Sequence, residues 1–400
     1  KLHPMFEKTP LIQAIDSGDI SKAVELYNQG ERIPHSQHTY DYSQLYDTLI
    51  RKKGYELISL MLQNNEIEKD IYMLDKIEDS IFSKLVKVKN PDEEFISFFT
   101  DLLGQAENIN DEVSGHTLIS FAVESAADSA IIQALIDAGC RVDFKNQSED
   151  NLLNISIRKH GITPEHINRY IEIFLSEGLD INETNKVGKT PLHIAMENNK
   201  YHVLENLLQN GANPNQQDNE GNSAFFIAVA HKHDAEQYKK LSEYESMDFE
   251  QTNKNGEKAL HNHLRMIDGA ENTELILQMI EDGADLNNTA PHYGKPVSAW
   301  DWIAQKKSPF FEQVFKQAQP EINEQDDLGN TLLHKVVMKD SNYDQNDAKE
   351  TYKKVKFLLD NGATASILNN KEQSAMAIAS EDNLKGKTVE LLLIAQQKEN

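Results

Sequence analysis

Apolar clusters and polar turns alternate along much of this chain, and the clearest example is residues 187–215. A first apolar group follows Thr190–Pro191, a second occupies Val203–Leu208, and Gly211 comes shortly after it. The spacing predicts two short helices, each with one apolar face. Thr caps free backbone N–H groups, Pro needs no donor in a first turn, and Gly suits a left-handed helix end. The pattern therefore predicts a helical hairpin.

This hairpin pattern repeats, and the repetition is the most informative property of the sequence. Gly188 and Gly221 begin successive units and lie 33 positions apart. Weaker copies of the unit contain, in chain order, Thr9–Ala14, Gly115–Leu118, Asn151–Leu153, Gly256–His261, Ser298–Ala304, Gly329–His334 and Ser374–Ala379. One such unit cannot bury its own apolar face, so successive units must stack.

The units resemble the ankyrin repeat, and residues 185–217 match its signature most closely. The resemblance extends over residues 5–35 and 112–398. It implies an all-α fold, namely an ankyrin-repeat solenoid of helical hairpins with short β-hairpin-like fingers and an irregular helical N-terminal portion.

We predict three regions along the chain. They are an ankyrin-like unit over residues 1–36, degenerate helical hairpins or a separate small helical region over 37–111, and a repeat stack with insertions and a C-terminal cap over 112–400. The unit that begins at Gly329 carries about ten extra residues. We expect its polar insertion, Lys339–Asp347, to form a mobile loop between two helices.

Composition argues against several classes of function. The chain carries 40 Lys and Arg against 65 Asp and Glu, a formal net charge of −25. A polyanion would be repelled by that field, so we expect no nucleic-acid partner. Apolar runs are too short to span a membrane, residues 1–10 lack the apolar core of a signal peptide, and Cys140 is the sole cysteine. These features predict an acidic, cytoplasmic protein, and we expect a monomer.

Histidines and the cysteine are the side chains most able to carry chemistry. Three occupy the histidine position of the repeat, where the resemblance implies a structural role: His193, His261 and His334. The best candidate zinc site consists of three other histidines, His231, His233 and His263. No cysteine or carboxylate pair at ligand spacing supports this site. Cys140 takes a small, buried place without a catalytic signature around it. We predict no catalytic residue, no metal and no cofactor.

Charge along the repeats points to a binding surface. The resemblance implies that the fingers and the inner helices line the face that holds a partner. Cations recur there in a chain that is otherwise acidic, and a focused positive field favours an acidic protein surface. The alternative is that these cations only complement the helix dipole. The predicted partner-binding residues are Arg158, Lys159, Lys186, Lys189, Glu197, Asn198, His231, Lys254, Arg265, Met266, Trp302, Lys306 and Lys339.

Since we expect these cations to lie on the surface, reversing the charge of Arg158, Lys159 and Arg265 should leave stability almost unchanged. Trp300 falls on a core position of the repeat, and Trp302 takes a more variable, partly exposed place.

The resemblance implies a protein–protein interaction module without catalysis. Only six of the 40 cations are arginine, and the repeats are irregular. This composition is similar to that of ankyrin proteins that intracellular bacteria secrete as effectors, which would place this chain in a host cytosol. One alternative is an enzyme with an unrecognised site in 37–111 or an insertion. The segment 37–111 contains His38 and Tyr40–Tyr42, and His35 lies just before it. The other is an intracellular bacterial regulator or immunity protein.

Overall fold

The computed structural model describes residues 9–33, 39–268 and 273–399. The chain divides into two compact units, Lys1–Ala212 and Asn213–Asn400. Among the described residues, no helix is both long and apolar enough to cross a membrane. The two histidines named for the enzyme alternative, His35 and His38, lie outside the described residues.

The first unit is built from short helices. They are α1 Pro10–Ser17, α2 Ile20–Asn28, α3 Thr39–Arg51, α4 Tyr55–Gln63, α5 Ile81–Leu85, α6 Glu93–Leu103, α7 Leu118–Glu124, α8 Ser129–Asp137, α9 Leu152–Arg158, α10 Pro164–Ser176, α11 Pro191–Glu197 and α12 Leu204–Gln209. Three-residue 3₁₀ turns lie at Ile71–Met73, Ile77–Asp79 and Tyr201–Val203.

The second unit adds one β-hairpin to the same kind of helices. Its helices are α13 Ala224–Phe226, which continues as the π-helix Ile227–Lys232, α14 Ala235–Ser242, α15 Ala259–Met266, α16 Thr273–Glu281, α17 Ala299–Ala304, α18 Ser308–Ala318, α19 Leu332–Val337, α20 Gln345–Asp360, α21 Ala375–Ala379 and α22 Gly386–Glu399. Its strands are β1 Thr289–His292 and β2 Lys295–Ser298. A 3₁₀ turn covers Asn383–Lys385. The two strands pair antiparallel, with Thr289 opposite Ser298.

Threonine and histidine together begin several of the inner helices, as the repeat pattern predicts. The Thr190 hydroxyl lies 2.8 Å from Nδ1 of His193, and that ring nitrogen accepts from the Thr190 N–H at 3.2 Å. Thr331 and His334 repeat this arrangement at 2.8 Å and 3.2 Å. Each pair satisfies backbone donors that would otherwise lack a partner at the start of a helix. The sequence signal Thr-x-x-His therefore sets where α11 and α19 begin.

Helices of successive hairpins pack in two rows within each unit. We call α7, α9 and α11 of the first unit and α15, α17, α19 and α21 of the second the inner helices, since each packs on the next in that order. The outer helices α14, α16, α18, α20 and α22 form the second row. The predicted all-α repeat fold is confirmed.

The poorly matching segment follows the same plan. Helix α3 packs on α1 and α5, α4 packs on α2, and α6 packs on α8. Leu49, Leu57, Phe82 and Phe99 of these helices have no exposed surface. Burial of this kind supplies roughly 1.5–3 kcal/mol per large apolar side chain, which is why hairpins without the signature still stack. The predicted boundaries at 36 and 111 stay predictions.

Asparagine or aspartate shapes the fingers between hairpins. Oδ1 of Asn185 accepts the N–H groups of Val187 at 3.1 Å and Lys189 at 2.9 Å. Oδ1 of Asp326 accepts those of Leu328 and Asn330 in the same way. Short side chains that bond their own backbone two and four residues on favour such tight turns. The fingers therefore project exposed residues, including Val187 and Leu328, from a fixed base.

One local expectation needs correction. The insertion Lys339–Asp347 is not a loop throughout, because α20 begins at Gln345 and runs for 16 residues. Ser341 within it is buried and donates its N–H to Asp382 at 3.1 Å. The extra residues therefore lengthen an outer helix. The β1–β2 hairpin agrees with the predicted β-hairpin-like fingers, and Pro291 and Pro296 pair with each other within it.

Candidate partner-binding surface

Three predicted cations of the first unit, Arg158, Lys159 and Lys189, are paired with carboxylates of the same unit. Nε of Arg158 lies 3.0 Å from Oδ2 of Asp150, whose side chain is only 5% exposed. Nζ of Lys159 lies 4.0 Å from Oε2 of Glu124, and both groups are partly exposed. Arg158 lies on the surface as expected, but it neutralises a buried carboxylate, so we now expect its charge reversal to lower stability. The neighbouring Lys159 is the more exposed of the two cations, with 47% of its side chain exposed against 40% for Arg158.

The next repeat of this unit shows the same local neutralisation. Nζ of Lys189 donates to Oε1 of Glu197 at 2.6 Å. Lys186 and Asn198 are exposed, and the Asn198 amide donates to the Ile194 carbonyl at 2.8 Å at the end of α11. Gln147, Asp150, Arg158, Lys186 and Val187 line one shallow cleft between neighbouring fingers. The structure thus brings Arg158 and Lys186 together, in a setting of mixed charge.

Predicted cations of the second unit are likewise engaged. Three pair with carboxylates, namely Lys254 with Glu220 at 3.1 Å, Arg265 with Glu257 at 3.1 Å and Lys339 with Asp347 at 2.8 Å. Lys306 donates to the Ile267 carbonyl at 2.6 Å, just beyond the end of α15, and burial lowers its pKa. Lys306 therefore complements the negative end of the α15 dipole, which is the role that the alternative interpretation gave to these cations.

Buried lysines extend this arrangement along the inner helices. Lys354, which has no exposed surface, donates to the carbonyls of Ala304, the last residue of α17, and of Lys306 just after it. Lys385 donates to the Val337 carbonyl at the end of α19 at 2.9 Å. Burial lowers the pKa of Lys354 to about 7. These side chains, which the sequence reasoning missed, satisfy helix-terminal carbonyls and hold neighbouring repeats together.

Apolar side chains are the exposed feature at the ends of the inner helices of the second unit. Met266, the last residue of α15, is 62% exposed, and Met338, directly after α19, is 46% exposed. Trp302 lies half-buried on α17 between those two helices, while Trp300 is buried in the core as predicted. Met and Trp are enriched at protein interfaces, where lysine is depleted. We call Met266, Trp302 and Met338 the apolar row.

A cleft lies beside the apolar row, between α15, α17 and the β-hairpin. Arg265 and Trp302 line it together with Glu257, His261, Pro291 and His292. The rings of His292 and Trp302 meet edge to face at 4.9 Å. Glu257 and His292 were not singled out from the sequence. His292 reaches this place on β1, and Glu257 lies in the turn before α15.

Two of the three histidines of the hypothetical zinc site are in contact. Nδ1 of His233 lies 2.9 Å from Nδ1 of His263 and 3.0 Å from the Val229 carbonyl. The third, His231, is exposed and packs against the Phe226 ring at 5.3 Å. In the described part of the chain, no group of three or more His, Cys, Asp or Glu residues is arranged to hold a metal ion. Cys140 is buried, which raises its thiol pKa to about 12.

The buried histidine pair makes stability depend on pH. Burial, with the neighbouring His233, lowers the pKa of His263 to about 4. An unfolded chain has the ordinary value of about 6.5 and binds more protons between these values, so stability falls as pH drops from about 6.5 to 4. We expect this residue to account for about 3 kcal/mol of acid destabilisation. Urea unfolding at pH 7 and pH 4.5 checks this, because His263→Gln should show a smaller difference in midpoint. An equal difference would contradict the assignment.

Comparisons with known proteins support the repeat architecture. A family model described as ankyrin repeats in three copies matches residues 119–218 and 165–238. Alpha-latrocrustotoxin-Lt1a of Latrodectus tredecimguttatus is 26% identical over 205 residues, which are 49% of this chain and 14% of that protein. An ankyrin repeat protein of Variola virus is 32% identical over 108 residues, 27% of this chain and 18% of that protein. The chain therefore spans less than a fifth of either relative.

A solved structure is also similar to this chain. The ankyrin repeat domain of Bcl-3, a member of the IkappaB protein family, has a TM-score of 0.49 and 21% sequence identity. The similarity covers 62% of this chain and 100% of that one.

Proposed function

We propose that this chain, which belongs to the ankyrin repeat family, binds a partner protein through its fingers and the exposed ends of its inner helices. Ankyrin repeats are generally protein-interaction modules. Fold does not give the partner, which depends on the exposed positions of each stack. The proposal therefore rests on the side chains that this chain exposes there.

The apolar row is the observation that carries the proposal. Met266 at the end of α15 is 62% exposed and Met338 directly after α19 is 46% exposed, although most residues of the preceding turns are buried. Large apolar groups that stay in contact with water do not contribute the stabilisation that burial would give. A partner that covers them at neighbouring repeats gains that free energy on binding. Methionine adapts its shape, and a half-buried tryptophan supplies a rigid anchor. We infer that the partner places an apolar patch here.

Acidic groups of the partner would contact exposed cations of each unit. Lys159, Lys186 and Lys254 are exposed, and two of them share their charge with a carboxylate of this chain. A partner carboxylate must compete with Glu124 or Glu220, so each such contact adds little affinity. Rim charges mainly change the association rate and its salt dependence. In this proposal the partner presents acidic groups to these cations and an apolar patch to the apolar row.

We further propose that the partner is a protein of a host cell and that this chain acts in the host cytosol as a bacterial effector. The low share of arginine among the cations and the irregular repeats support this role. A regulator or immunity protein would instead bind a protein of the bacterium. Parallel captures from eukaryotic and bacterial lysates separate these two roles.

Capture of a partner with matched baits tests the proposed surface. Met266→Glu combined with Met338→Glu places two charges in the apolar row, and we expect at least a tenfold loss of affinity, equivalent to about 1.4 kcal/mol. The matched control is Leu393→Glu combined with Ile394→Glu on α22, where the side chains are 44% and 51% exposed. Since all four are surface sites, melting temperatures should change little. A partner that the Met266→Glu, Met338→Glu bait retains and the Leu393→Glu, Ile394→Glu control loses would refute the proposal that the apolar row binds the partner.

A further inference from the structure

The cleft between two neighbouring fingers of the first unit is open and carries a positive charge. We call it the finger cleft, and its lining includes Gln147, Ser148, Asp150, Arg158, Lys186 and Val187. Its volume of about 450 Å³ is within the range of pockets that hold small ligands. Its described lining contains two cations, Arg158 and Lys186, and one anion, Asp150, in a chain of net charge −25. An anion is therefore the kind of group that this cleft attracts.

Asp150 holds the guanidinium of Arg158 at the wall of the finger cleft. Its carboxylate is 5% exposed, and Oδ2 lies 3.0 Å from Nε of Arg158. The other carboxylate oxygen, Oδ1, accepts from Nδ2 of Asn185 at 2.7 Å. The N–H group of Asp150 donates to Oδ1 of Asn146 at 3.0 Å. Because Asp150 is tied to both fingers, it restricts the orientation of the arginine that it pairs with.

The two Nη groups of Arg158 are available to an outside acceptor. Among the described residues, no acceptor is hydrogen-bonded to either Nη, and 40% of the Arg158 side chain is exposed. Arg265 has the matching place near the end of α15, also eight residues after a carboxylate. There Nη2 donates to Oε1 of Glu257 at 3.1 Å. Arg265 therefore uses part of its donor fork within the chain, whereas Arg158 presents two parallel donors to the cleft.

The fingers favour a carboxylate over a phosphate group as the bound anion. Phosphate sites usually include several backbone N–H donors. Here the N–H of Ser148 donates to Oδ1 of Asn146 at 2.9 Å, and that of Val187 donates to Oδ1 of Asn185 at 3.1 Å. A phosphate dianion would also place two negative charges near Asp150, while a carboxylate places only one. The two oxygens of a planar carboxylate match the two Nη donors.

We propose that the finger cleft binds the side-chain carboxylate of a glutamate or aspartate presented by the partner protein. The two carboxylate oxygens accept from Nη1 and Nη2 of Arg158, and Asp150 is a positioning residue for that arginine. Val187, which is 51% exposed, packs against the methylene groups of the bound residue. This inference rests on the proposed function, because it names an acidic side chain with which the partner contacts the first unit.

Small capped amino acids test the inference without the partner. The probes are N-acetylglutamate methylamide, its near-isosteric control N-acetylglutamine methylamide, and N-acetylphosphoserine methylamide, all at constant ionic strength. The readout is the Nε–H signal of Arg158 in a ¹H–¹⁵N spectrum of the full chain, which contains six arginines. Arg158→Lys assigns that signal. We expect the glutamate probe to move it with a dissociation constant of about 10 mM, and the glutamine probe to bind at least tenfold more weakly.

Arg141 is the control within the same spectrum. Its Nε lies 3.5 Å from Oδ1 of Asp143 and its side chain is 69% exposed, but it does not line the finger cleft. Non-specific pairing with any exposed arginine would move both signals alike. We expect the Arg141 signal, assigned with Arg141→Lys, to respond at least fivefold less to the glutamate probe than the Arg158 signal.

Arg158→Lys is the matched variant, because it keeps a positive charge beside Asp150 and removes the donor fork. We expect its urea midpoint to stay close to that of wild type. The methyl signals of Val187, assigned with Val187→Ala, report binding in both proteins. We expect the variant to bind the glutamate probe at least fivefold more weakly than wild type.

Four results would each overturn the inference: no response or an equal response of the Arg158 and Arg141 signals, equal binding of the glutamate and glutamine probes, tighter binding of the phosphoserine probe than of the glutamate probe, or unchanged affinity in Arg158→Lys. A partner capture that still depends on Met266 and Met338 in those cases would leave the proposed function standing. Capture that is independent of Met266 and Met338, together with the expected probe response, would refute the apolar row and not the finger cleft.

Discussion

Leu192→Ala lowers the free energy of unfolding by about 2–5 kcal/mol, the largest effect that we expect from a single truncation. Leu192 lies in the first turn of α11, has no exposed surface, and belongs to a helix that packs against α9. Removing three carbon atoms there leaves a cavity that the short helices can only partly close. Because repeats are stabilised by their neighbours, the loss also weakens the adjoining hairpin.

Urea denaturation followed by far-ultraviolet circular dichroism measures this loss. Val187→Ala is the control, since Val187 lies in the adjacent finger and is 51% exposed. Its free energy of unfolding should stay within about 0.5 kcal/mol of wild type. Similar midpoints for Leu192→Ala and Val187→Ala would show that α11 is not part of a packed core.

Arg158→Glu and Lys159→Glu are adjacent charge reversals with different expected outcomes. Arg158→Glu removes the partner of Asp150, whose side chain is 5% exposed, and places a second carboxylate beside it. We expect a loss of about 1–3 kcal/mol, at the lower end of the effect of breaking a buried pair because Arg158 is itself 40% exposed. Lys159→Glu removes only a 4.0 Å contact between partly exposed groups and should cost less than about 1 kcal/mol.

The same denaturation experiment distinguishes the two variants, and salt adds a second readout. The Lys159→Glu effect should shrink further in 1 M NaCl, because exposed charges are screened, while most of the Arg158→Glu loss should persist. Equal midpoints for both variants would mean that Asp150 does not depend on Arg158. For partner binding, Lys159 is the cation that can be reversed without a confounding loss of stability.

Local signals in the sequence were sufficient to predict the helices. Thr190–Pro191 begins α11, and the small and apolar residues that follow it are buried. These signals act within a few residues, so a single unit specifies its own hairpin and repetition specifies the stack. The same reasoning predicted that Trp300 would be buried and Trp302 partly exposed.

The charge environment of the site depended on contacts that no local pattern contains. Arg158 meets Asp150 across eight positions of chain, and Lys254 meets Glu220 across a whole repeat. Sequence alone showed cations at the ends of inner helices but not that carboxylates of the same unit neutralise them. The cleft was missed for a related reason, since the strand pairing around Pro291 and Pro296 creates it.

Hydrogen exchange of this chain, alone and with its captured partner, tests the central claim most directly. The account predicts slower exchange with the partner at the ends of the inner helices, in peptides covering residues 263–268, 300–307 and 335–341. Exchange in the outer helices α16 and α18 should stay the same. Protection confined to α16, α18 and α20, with no change at the inner-helix ends, would contradict the proposed surface.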